Sequence, residues 1–279
     1  MRPGACGGDG ATERVFVTAA LLSADSQPRF FRPTWVEIHL GHLRRNLRLL
    51  RARLGRRVRL MLVVKGNAYG HGAIAVAREA EKNKLAQWLG VSSIEEGIAL
   101  RDAGLRLQIL ILGSLYPFES FLVAVRYGLT PTVASLEAAR RLSEATRTLP
   151  SADFKPVRCH IKLDTGMGRI GMSGSSGLEA VRFIAEHKSL ELEGIYTHFS
   201  CADTDRIYTR LQLRRFRAVL ADAHRAGISA PIAHAANSAA ALGFKASRLD
   251  MVRPGLAAYG LYGNGTAPVL SLKSRVVFY

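Results

Sequence analysis

Short apolar segments alternate with segments of helical periodicity along most of the chain, and this alternation constrains the fold more than any other feature. Strand-like runs rich in branched and apolar residues occupy residues 60–65, 88–92, 108–113, 129–133, 158–163, 192–199, 231–236 and 251–259. Helical spacing of Leu, Ile, Val and Ala follows at residues 73–83, 94–103, 136–146, 178–187 and 208–226. Strands that alternate with helices form a parallel sheet. Eight such units within 279 residues predict an α/β fold, a closed (β/α)8 TIM barrel, rather than an open doubly wound sheet.

A barrel of this kind builds its functional site from residues at the carboxyl ends of its strands. Unusual polar residues stand at these points: Lys65 closes the first run, residues 164–169 follow the fifth, His198 ends the sixth, Asn237 and Ser238 follow the seventh, and Arg253 and Gly255 lie in the eighth. We therefore expect these residues to meet in one site.

The chain is strongly basic, with 39 Lys and Arg against 22 Asp and Glu and a formal net charge of +17. The densest basic run, residues 44–59, carries Leu43, Leu47, Leu50 and Leu54 at spacings of four and three. This pattern predicts an amphipathic helix with a basic outer face. A solvated face is favoured over nucleic-acid binding, because no aromatic-interleaved basic platform or recognition-helix motif accompanies it.

The three cysteines, Cys6, Cys159 and Cys201, form no CxxC pair and no metal-like spacing with histidine. Neither a disulfide framework nor a metal site is predicted, and a reducing cytoplasm is the expected location. No segment reaches the ~18 uninterrupted apolar residues that a membrane span needs, so no membrane association is predicted.

Residues 1–32 are rich in Gly and Ala and are predicted to be a disordered extension. Within them, residues 15–24 weakly resemble the apolar part of a secretory signal, which leaves export as the alternative location. Asp9 and Glu13 oppose that alternative, since signal peptides begin with a positively charged region.

Lys65 leaves an apolar strand, residues 61–64, and precedes a glycine-rich turn. A lysine in this position is expected to lose solvent, and desolvation lowers the pKa of an amine. A lowered amine pKa makes a lysine nucleophilic enough to form a Schiff base near neutral pH. The alternative is a structural lysine that extends its amine from the strand end into water.

The sequence around Lys65, VVKGNAYGHG at residues 63–72, resembles the cofactor-lysine motif of alanine racemases. The resemblance continues in order through RPTWVEIHL from Arg32, KLDTGMGRIG from Lys162, YTHF from Tyr196, HAANSAA from His234 and MVRPGLAAYGLYG from Met251. It therefore runs from about Arg32 to the end of the chain. His39 departs from the pattern, because an aspartate is usual there.

The resemblance implies a pyridoxal 5'-phosphate (PLP) enzyme of fold type III, an isomerase that interconverts L- and D-alanine and supplies D-alanine for peptidoglycan and the cell wall. Lys65 would bind PLP as a Schiff base and act as one of two bases that exchange the α-proton. Tyr69, Ser238 and the backbone around Gly255 would hold the phosphate, with Asn237 and Leu256 in the same pocket. Taken alone, Tyr69 equally fits a packing tyrosine and Ser238 a helix cap.

The resemblance also places an arginine, Arg253, against the pyridine nitrogen. An arginine cannot accept a proton, so the ring nitrogen would stay unprotonated and PLP would be a weaker electron sink, which suits racemisation better than transamination. The alternative for Arg253 is a structural ion pair with Asp250 or another acid.

Three further residues complete the site that the resemblance implies. His198 would bond within the Arg253 network, although a lone histidine in an apolar strand is often a core residue. Arg169 would reach the phenolic oxygen of PLP or the substrate carboxylate. Lys162 resembles a lysine that is often carbamylated to hold this arginine in place.

One competing motif is GMGRIG at residues 166–171, which fits the dinucleotide fingerprint GxGxxG and has Glu191 near the spacing of a ribose-binding acid. Two observations oppose a nicotinamide enzyme. The segment at residues 172–177 is rich in Ser and Gly where a phosphate-binding helix is expected, and the unit is the fifth of eight rather than the first.

Alanine racemases continue past the segment PVLSLKSRV at residues 268–276 into a β-rich domain, which supplies a second catalytic tyrosine across a homodimer interface. The sequence contains no counterpart of that tyrosine. We therefore expect a barrel at residues 33–267, a first strand at residues 34–40 that pairs with the missing domain, and the start of a truncated domain at residues 268–279. The chain as given is expected to be inactive on this basis, and a non-racemising PLP-binding barrel or a racemase for serine or other amino acids remains an alternative.

Overall fold

The computed structural model describes residues 34–148 and 155–276. The predicted N-terminal extension at residues 1–32, with its signal-like segment at 15–24, lies outside the described residues. Within the described ranges, no helix combines the length and the apolar character that crossing a membrane requires.

The described chain alternates strands and helices. The strands are β1 (Thr34–Ile38), β2 (Arg59–Val63), β3 (Trp88–Val91), β4 (Gln108–Ile111), β5 (Thr132–Val133), β6 (Val157–Lys162), β7 (Leu190–Tyr196), β8 (Ile232–His234), β9 (Met251–Val252) and β10 (Leu270–Ser274). The helical segments are α1 (Leu40–Leu54), α2 (Lys65–Tyr69), α3 (Ala73–Lys82), α4 (Ile94–Asp102), α5 (Ser120–Arg126), α6 (Leu136–Thr146), α7 (Gly174–Glu186), α8 (Arg206–Arg225) and α9 (Ser238–Gly243), followed by a 3-10 turn at Lys245–Ser247.

Strands β2 to β9 form one eight-stranded parallel sheet in the order β4, β3, β2, β9, β8, β7, β6, β5. Leu110 of β4 forms a parallel bridge with Thr130, two residues before β5, and this bridge closes the sheet. The predicted parallel (β/α)8 barrel is therefore confirmed.

The side chains of the barrel strands form two apolar layers. The larger layer, which includes Leu62, Leu89 and Ile161, packs between the strands and the surrounding helices. A smaller cluster fills the lumen with residues from six strands: Met61, Trp88, Leu110, Tyr196, Ile232 and Met251. Because successive side chains of a strand point to opposite faces, each of these six strands contributes to both layers.

Helix α1 packs through the predicted leucines, since Leu43, Leu47 and Leu50 are all buried. The helix nevertheless starts earlier and ends sooner than the basic run at residues 44–59 indicates. Gly55 adopts φ +80° and ends the helix, and Arg59 already belongs to β2. Glycine takes this left-handed conformation without the steric cost that a β-carbon adds.

Several predicted bounds are wrong. The first strand, predicted at residues 34–40, ends at Ile38 because His39 precedes the first residue of α1. The run at residues 251–259 gives only the short strand β9, since Pro254 has no N–H to continue a ladder and the chain turns after Gly255. Neither α5 nor α9 was predicted.

The helix predicted at residues 178–187 begins four residues earlier, at Gly174. Small residues at the start of a helix have little to bury, so the apolar periodicity does not reveal them. The segment at residues 172–177 is therefore partly helical, so its Ser and Gly content does not exclude the dinucleotide motif.

Strand β1 lies outside the barrel and pairs antiparallel with β10, from Thr34 with Ser274 to Ile38 with Leu270. The first strand thus pairs with the segment predicted to begin a second domain. The domain boundary at residue 268 stays a prediction.

Candidate active site

A cavity of about 410 Å³ opens at the carboxyl ends of the barrel strands. Its wall contains every site residue expected from the sequence: Lys65, Tyr69, Lys162, Arg169, His198, Asn237, Ser238, Arg253, Gly255 and Leu256. Residues more than 180 positions apart in sequence are thereby brought into one site, as Lys65 and Arg253 show.

Lys65 begins α2, a single turn whose backbone is left-handed. Asn67, Ala68 and Tyr69 have φ values of 51°, 56° and 54°. This conformation costs roughly 1–2 kcal/mol per residue that carries a β-carbon. Such strain persists where the surroundings enforce it, and it is common at functional sites.

The carboxylate of Glu96 fixes this turn. Its Oε1 accepts a hydrogen bond from the Gly66 N–H at 2.6 Å, and its Oε2 accepts from the N–H and the hydroxyl of Ser92 at 2.7 and 2.8 Å. The adjacent residue Lys65 is half-buried and lines the cavity, so the expected loss of solvent at this strand end is only partial.

Ser238 holds the segment that follows β9, because its Oγ accepts hydrogen bonds from the N–H groups of Gly255 and Ala257 at 3.0 and 3.1 Å. Asn237, rather than Ser238, caps α9, since its Oδ1 accepts from the Ala240 N–H at 3.1 Å. The phenol of Tyr69 lies so close to Gly255 that a β-carbon there would come within 2.7 Å of the Tyr69 oxygen. A tyrosine hydroxyl, a serine hydroxyl and the backbone at Gly255 thus meet at one end of the cavity.

Arg253 is buried and fully engaged on one side. Its Nη2 donates to the carbonyls of Thr197 and Ala235 at 2.7 and 3.1 Å and lies 3.2 Å from Nδ1 of His198, while Nη1 lies 2.9 Å from Nδ1 of His234. Arg253 contacts no carboxylate among the described residues, and Asp250 instead accepts the Ala233 N–H. The ion pair with Asp250 is therefore ruled out.

The charge of Arg253 affects the histidine beside it. Burial, together with the positive charges of Arg253, Lys162 and Arg169, lowers the pKa of His198 to about 2. His198 is consequently neutral at physiological pH and accepts hydrogen bonds at Nδ1 from the guanidinium. Burial also lowers the pKa of Arg253 itself to about 10, which still leaves it charged.

Lys162 is affected by the charges of Arg253 and Arg169 as well. Burial, then the charges of Arg253 and Arg169, lower its pKa to about 7, against the opposing effect of Asp164. Its Nζ stands 4.7 Å from the ring centroid of Tyr196. A substantial fraction of Lys162 is therefore unprotonated at neutral pH.

The loop at residues 166–171 carries Arg169 into the cavity wall. The carboxylate of Asp164 accepts hydrogen bonds from the N–H groups of Gly166, Met167 and Gly168 at 2.8 to 3.2 Å. These amides are thus already engaged and do not face a phosphate. Glu191, the other half of the dinucleotide motif, lies at the opposite end of the barrel, at the start of β7 beside Arg158.

Sequence reasoning missed three residues that shape this site. Tyr196 lines the cavity, and its hydroxyl bonds to Thr132 Oγ1 at 2.8 Å. His234 contacts Arg253, and Glu96 fixes the Lys65 turn. Tyr196 and His234 lie within the YTHF and HAANSAA motifs, which could have singled them out, whereas Glu96 gives no local signal.

A lysine, an arginine and a neutral histidine that meet at the carboxyl ends of barrel strands form the arrangement of an active site in a barrel enzyme. The family model described as the alanine racemase N-terminal domain matches residues 38–263. This chain belongs to that family.

Individual relatives agree with the family match. Alanine racemase 1 of Oceanobacillus iheyensis is 39% identical over 251 residues, which cover 89% of this chain and 65% of that protein. The alanine racemase of Halothermothrix orenii is 40% identical, over 90% of this chain and 66% of its own length. The solved structure of a Clostridium difficile alanine racemase in complex with cycloserine superposes with a TM-score of 0.82 at 35% identity, covering 88% of this chain and 69% of that one. The chain thus spans about 65% of the length of the curated relatives that it matches, and the cofactor of the family is PLP.

Proposed function

We propose that the chain binds PLP through Lys65 and takes part in the interconversion of L- and D-alanine. The observation that carries this proposal is the placement of Lys65, Tyr69 with Gly255, and Arg253 around one cavity. These groups match the three parts of PLP that a protein must hold: the aldehyde, the phosphate and the pyridine nitrogen.

The residues present fit PLP by their own chemistry. The phosphate would meet the Tyr69 hydroxyl and the Ser238 segment, and Gly255, which has no β-carbon, lets the Tyr69 ring approach that segment closely. Asn237 and Leu256 would complete this end of the pocket. At the other end, Arg253 would direct its remaining donors at the pyridine nitrogen, and since it donates only, it would keep that nitrogen unprotonated.

When bound, PLP supplies an electron sink that makes the α-proton of an amino acid removable. The Lys65 amine would then remove or return that proton on one face of the α-carbon. Neutral His198 would act through Arg253 as a hydrogen-bond acceptor, and Arg169 would bind an anionic group of the substrate or of PLP.

We further infer that Lys162 is carbamylated and that the carbamate holds Arg169. Arg169 makes no hydrogen bond or ion pair with another residue in the two described ranges, although it lines the cavity. An unprotonated Lys162 can attack carbon dioxide to give a carbamate with release of one proton, and the new anion would pair with Arg169.

A protein incubated with 13C-labelled bicarbonate is expected to give one carbamate carbon resonance by NMR. The resonance should vanish in Lys162→Arg and persist in Lys82→Arg, which alters an exposed lysine. Absence of the resonance from the wild-type chain would refute the carbamate.

Deuterium exchange tests the main proposal most directly. The chain with PLP is incubated in D2O with L-alanine and, separately, with D-alanine, while NMR follows the α-hydrogen and polarimetry follows configuration. Exchange with racemisation supports the full reaction, and exchange of one enantiomer without racemisation supports Lys65 as a single base. PLP binding with no exchange of either enantiomer would overturn the proposal in favour of a non-racemising PLP-binding barrel. Parallel reactions with serine would compare substrates.

We also propose a cytoplasmic location and a homodimer for the protein that contains this chain. Both follow from the resemblance to alanine racemases. Size-exclusion chromatography with light scattering would detect a persistent monomer, which would refute the dimer.

A further inference from the structure

A file of polar side chains runs through the barrel lumen, away from the proposed active site. Nη1 of Arg253 lies 2.9 Å from Nδ1 of His234, and Nε2 of His234 lies 2.9 Å from Nδ1 of His160. Nε2 of His160 then faces Oε2 of Glu193 at 3.5 Å. Both histidines are completely buried, and the file ends at Arg158, whose Nη1 lies 3.6 Å from the other oxygen of Glu193.

Arg253, at one end of this file, determines which ring nitrogen of each histidine accepts a hydrogen bond and which one donates. A guanidinium has donors and no acceptor, so Nδ1 of His234 accepts. Burial lowers the pKa of both histidines, so each ring is neutral and carries one proton. His234 must therefore hold its proton on Nε2 and donate it to Nδ1 of His160, which leaves the proton of His160 on Nε2, directed at Glu193.

A β-bulge turns Glu193 toward this file. Cys159 pairs with Leu192 and His160 pairs with Gly194, so Glu193 is an extra residue without a partner on β6. Leu192 and Ile195 both pack in the outer layer although they are three residues apart. The alternation of inward and outward side chains along β7 therefore shifts by one residue at the bulge. Regular alternation from Leu192 points Glu193 inward, whereas regular alternation from Ile195 would point it outward, so the bulge allows Glu193 to face inward while Ile195 still faces outward. Bulges commonly redirect a side chain in this way near functional sites.

Gly194 provides the space that His160 needs. A β-carbon at Gly194 would lie 2.5 Å from Cε1 and 2.6 Å from Nδ1 of the His160 ring, and 2.9 Å from the carbonyl oxygen of Ile232. Two local departures from regular β structure, the bulge and this glycine, therefore serve the same imidazole. Nε2 of His160 and Oε2 of Glu193 are both buried and make no hydrogen bond within the described residues, and they face each other across 3.5 Å as a carboxylate and a ring nitrogen.

We propose that His234, His160 and Glu193 form a positioning relay for Arg253. The two histidines orient the guanidinium, and the carboxylate of Glu193 supplies a negative charge at the far end of the file. The inference rests on the proposed function, in which Arg253 meets the pyridine nitrogen of PLP. The three residues do not touch the reacting atoms. They act by holding the Nη1 donor that faces His234 in a fixed direction, which fixes the orientation of the guanidinium and of the donors that remain for the cavity.

The first test needs no cofactor. Long-range 15N–1H NMR of histidine-labelled protein distinguishes the two neutral tautomers and the imidazolium. Both His160 and His234 are expected as the Nε2–H tautomer. An Nδ1–H tautomer or a charged ring at either position would overturn the relay. If the tautomers are as expected but the chain binds no PLP, the relay of hydrogen bonds stands and the proposed function fails.

The second test compares two neighbouring carboxylates. Glu193→Gln removes the charge that faces His160 while keeping the side-chain size. Glu191→Gln removes a charge whose ion pair, within the described ranges, is with Arg158. With 15N-labelled PLP, Glu193→Gln is expected to shift the pyridine nitrogen resonance and to weaken PLP binding by about 2-fold to 30-fold. Glu191→Gln should change neither. Equal behaviour of the two variants would show that the relay does not act on Arg253, and a misfolded Glu193→Gln variant would leave the tautomer measurement as the deciding result.

Discussion

Replacing Lys65 by alanine is expected to abolish covalent binding of PLP. The wild-type chain should show the visible absorbance band of lysine-bound PLP, and borohydride should fix the cofactor to the protein. Neither result should be seen in Lys65→Ala, because an alanine has no amine to form the bond. In the same variant, exchange of the α-hydrogen of alanine should fall below detection.

A second lysine of the cavity wall, Lys162, could also react with PLP in this experiment. Its pKa of about 7 makes its amine nucleophilic, yet Tyr196 and two arginines enclose it. Peptide mapping of the borohydride-reduced adduct would identify which lysine carries the cofactor. Lys82→Ala, at an exposed lysine, is the matched control and should behave as wild type. A band that persists in Lys65→Ala, with the adduct on another lysine, would contradict the assignment.

Replacing Asp164 by alanine is expected to destabilise the chain by about 1–3 kcal/mol, because it leaves the N–H groups of Gly166, Met167 and Gly168 without their acceptor. The loss should concentrate in the loop that carries Arg169, so hydrogen exchange there should accelerate. Asp102→Ala, at an exposed aspartate, should change the free energy of unfolding by less than about 0.5 kcal/mol.

Asp164 also predicts a pH dependence. Burial opposes the charged form, but the three backbone N–H groups outweigh it and lower the pKa of Asp164 below its ordinary value of 3.8. A group with a lowered pKa in the folded state stabilises the fold above its unfolded pKa and loses that contribution as the pH falls through the folded pKa. Unfolding measured between neutral pH and pH values below 3.8 should therefore show a smaller acid-dependent loss in Asp164→Ala than in wild type. Parallel pH profiles of the two proteins would refute this account.

The barrel could be predicted because its strands are buried on both faces and read as continuous apolar runs. The site could be predicted because Lys65, His198, Asn237 and Arg253 interrupt or follow those runs with polar groups, at the strand ends where barrels place their chemistry. The cavity then brings these residues together as expected. Their roles toward PLP stay predictions.

What the sequence could not reveal depends on contacts between distant segments. The bulge at Glu193 arises from the register of β7 against β6, and a single strand carries no record of its partner's register. The strained turn after Lys65 is likewise fixed from a distance, by Glu96 at the start of α4. The start of helix α7 was predicted too late for a different reason. Its first turn consists of Ser and Gly residues, which give no apolar periodicity.

The pairing of β1 with β10 has a consequence for the order of events during protein synthesis. Thr34 and Ser274 are 240 residues apart, so at a translation rate of about 5–20 residues per second β1 emerges roughly 12–48 s before its partner exists. During that interval its hydrogen-bonding edge is open, as edge strands are before they are covered. The barrel strands up to β9 leave the ribosome before β10, so β1 can form its ribbon with β10 only after translation has passed the barrel.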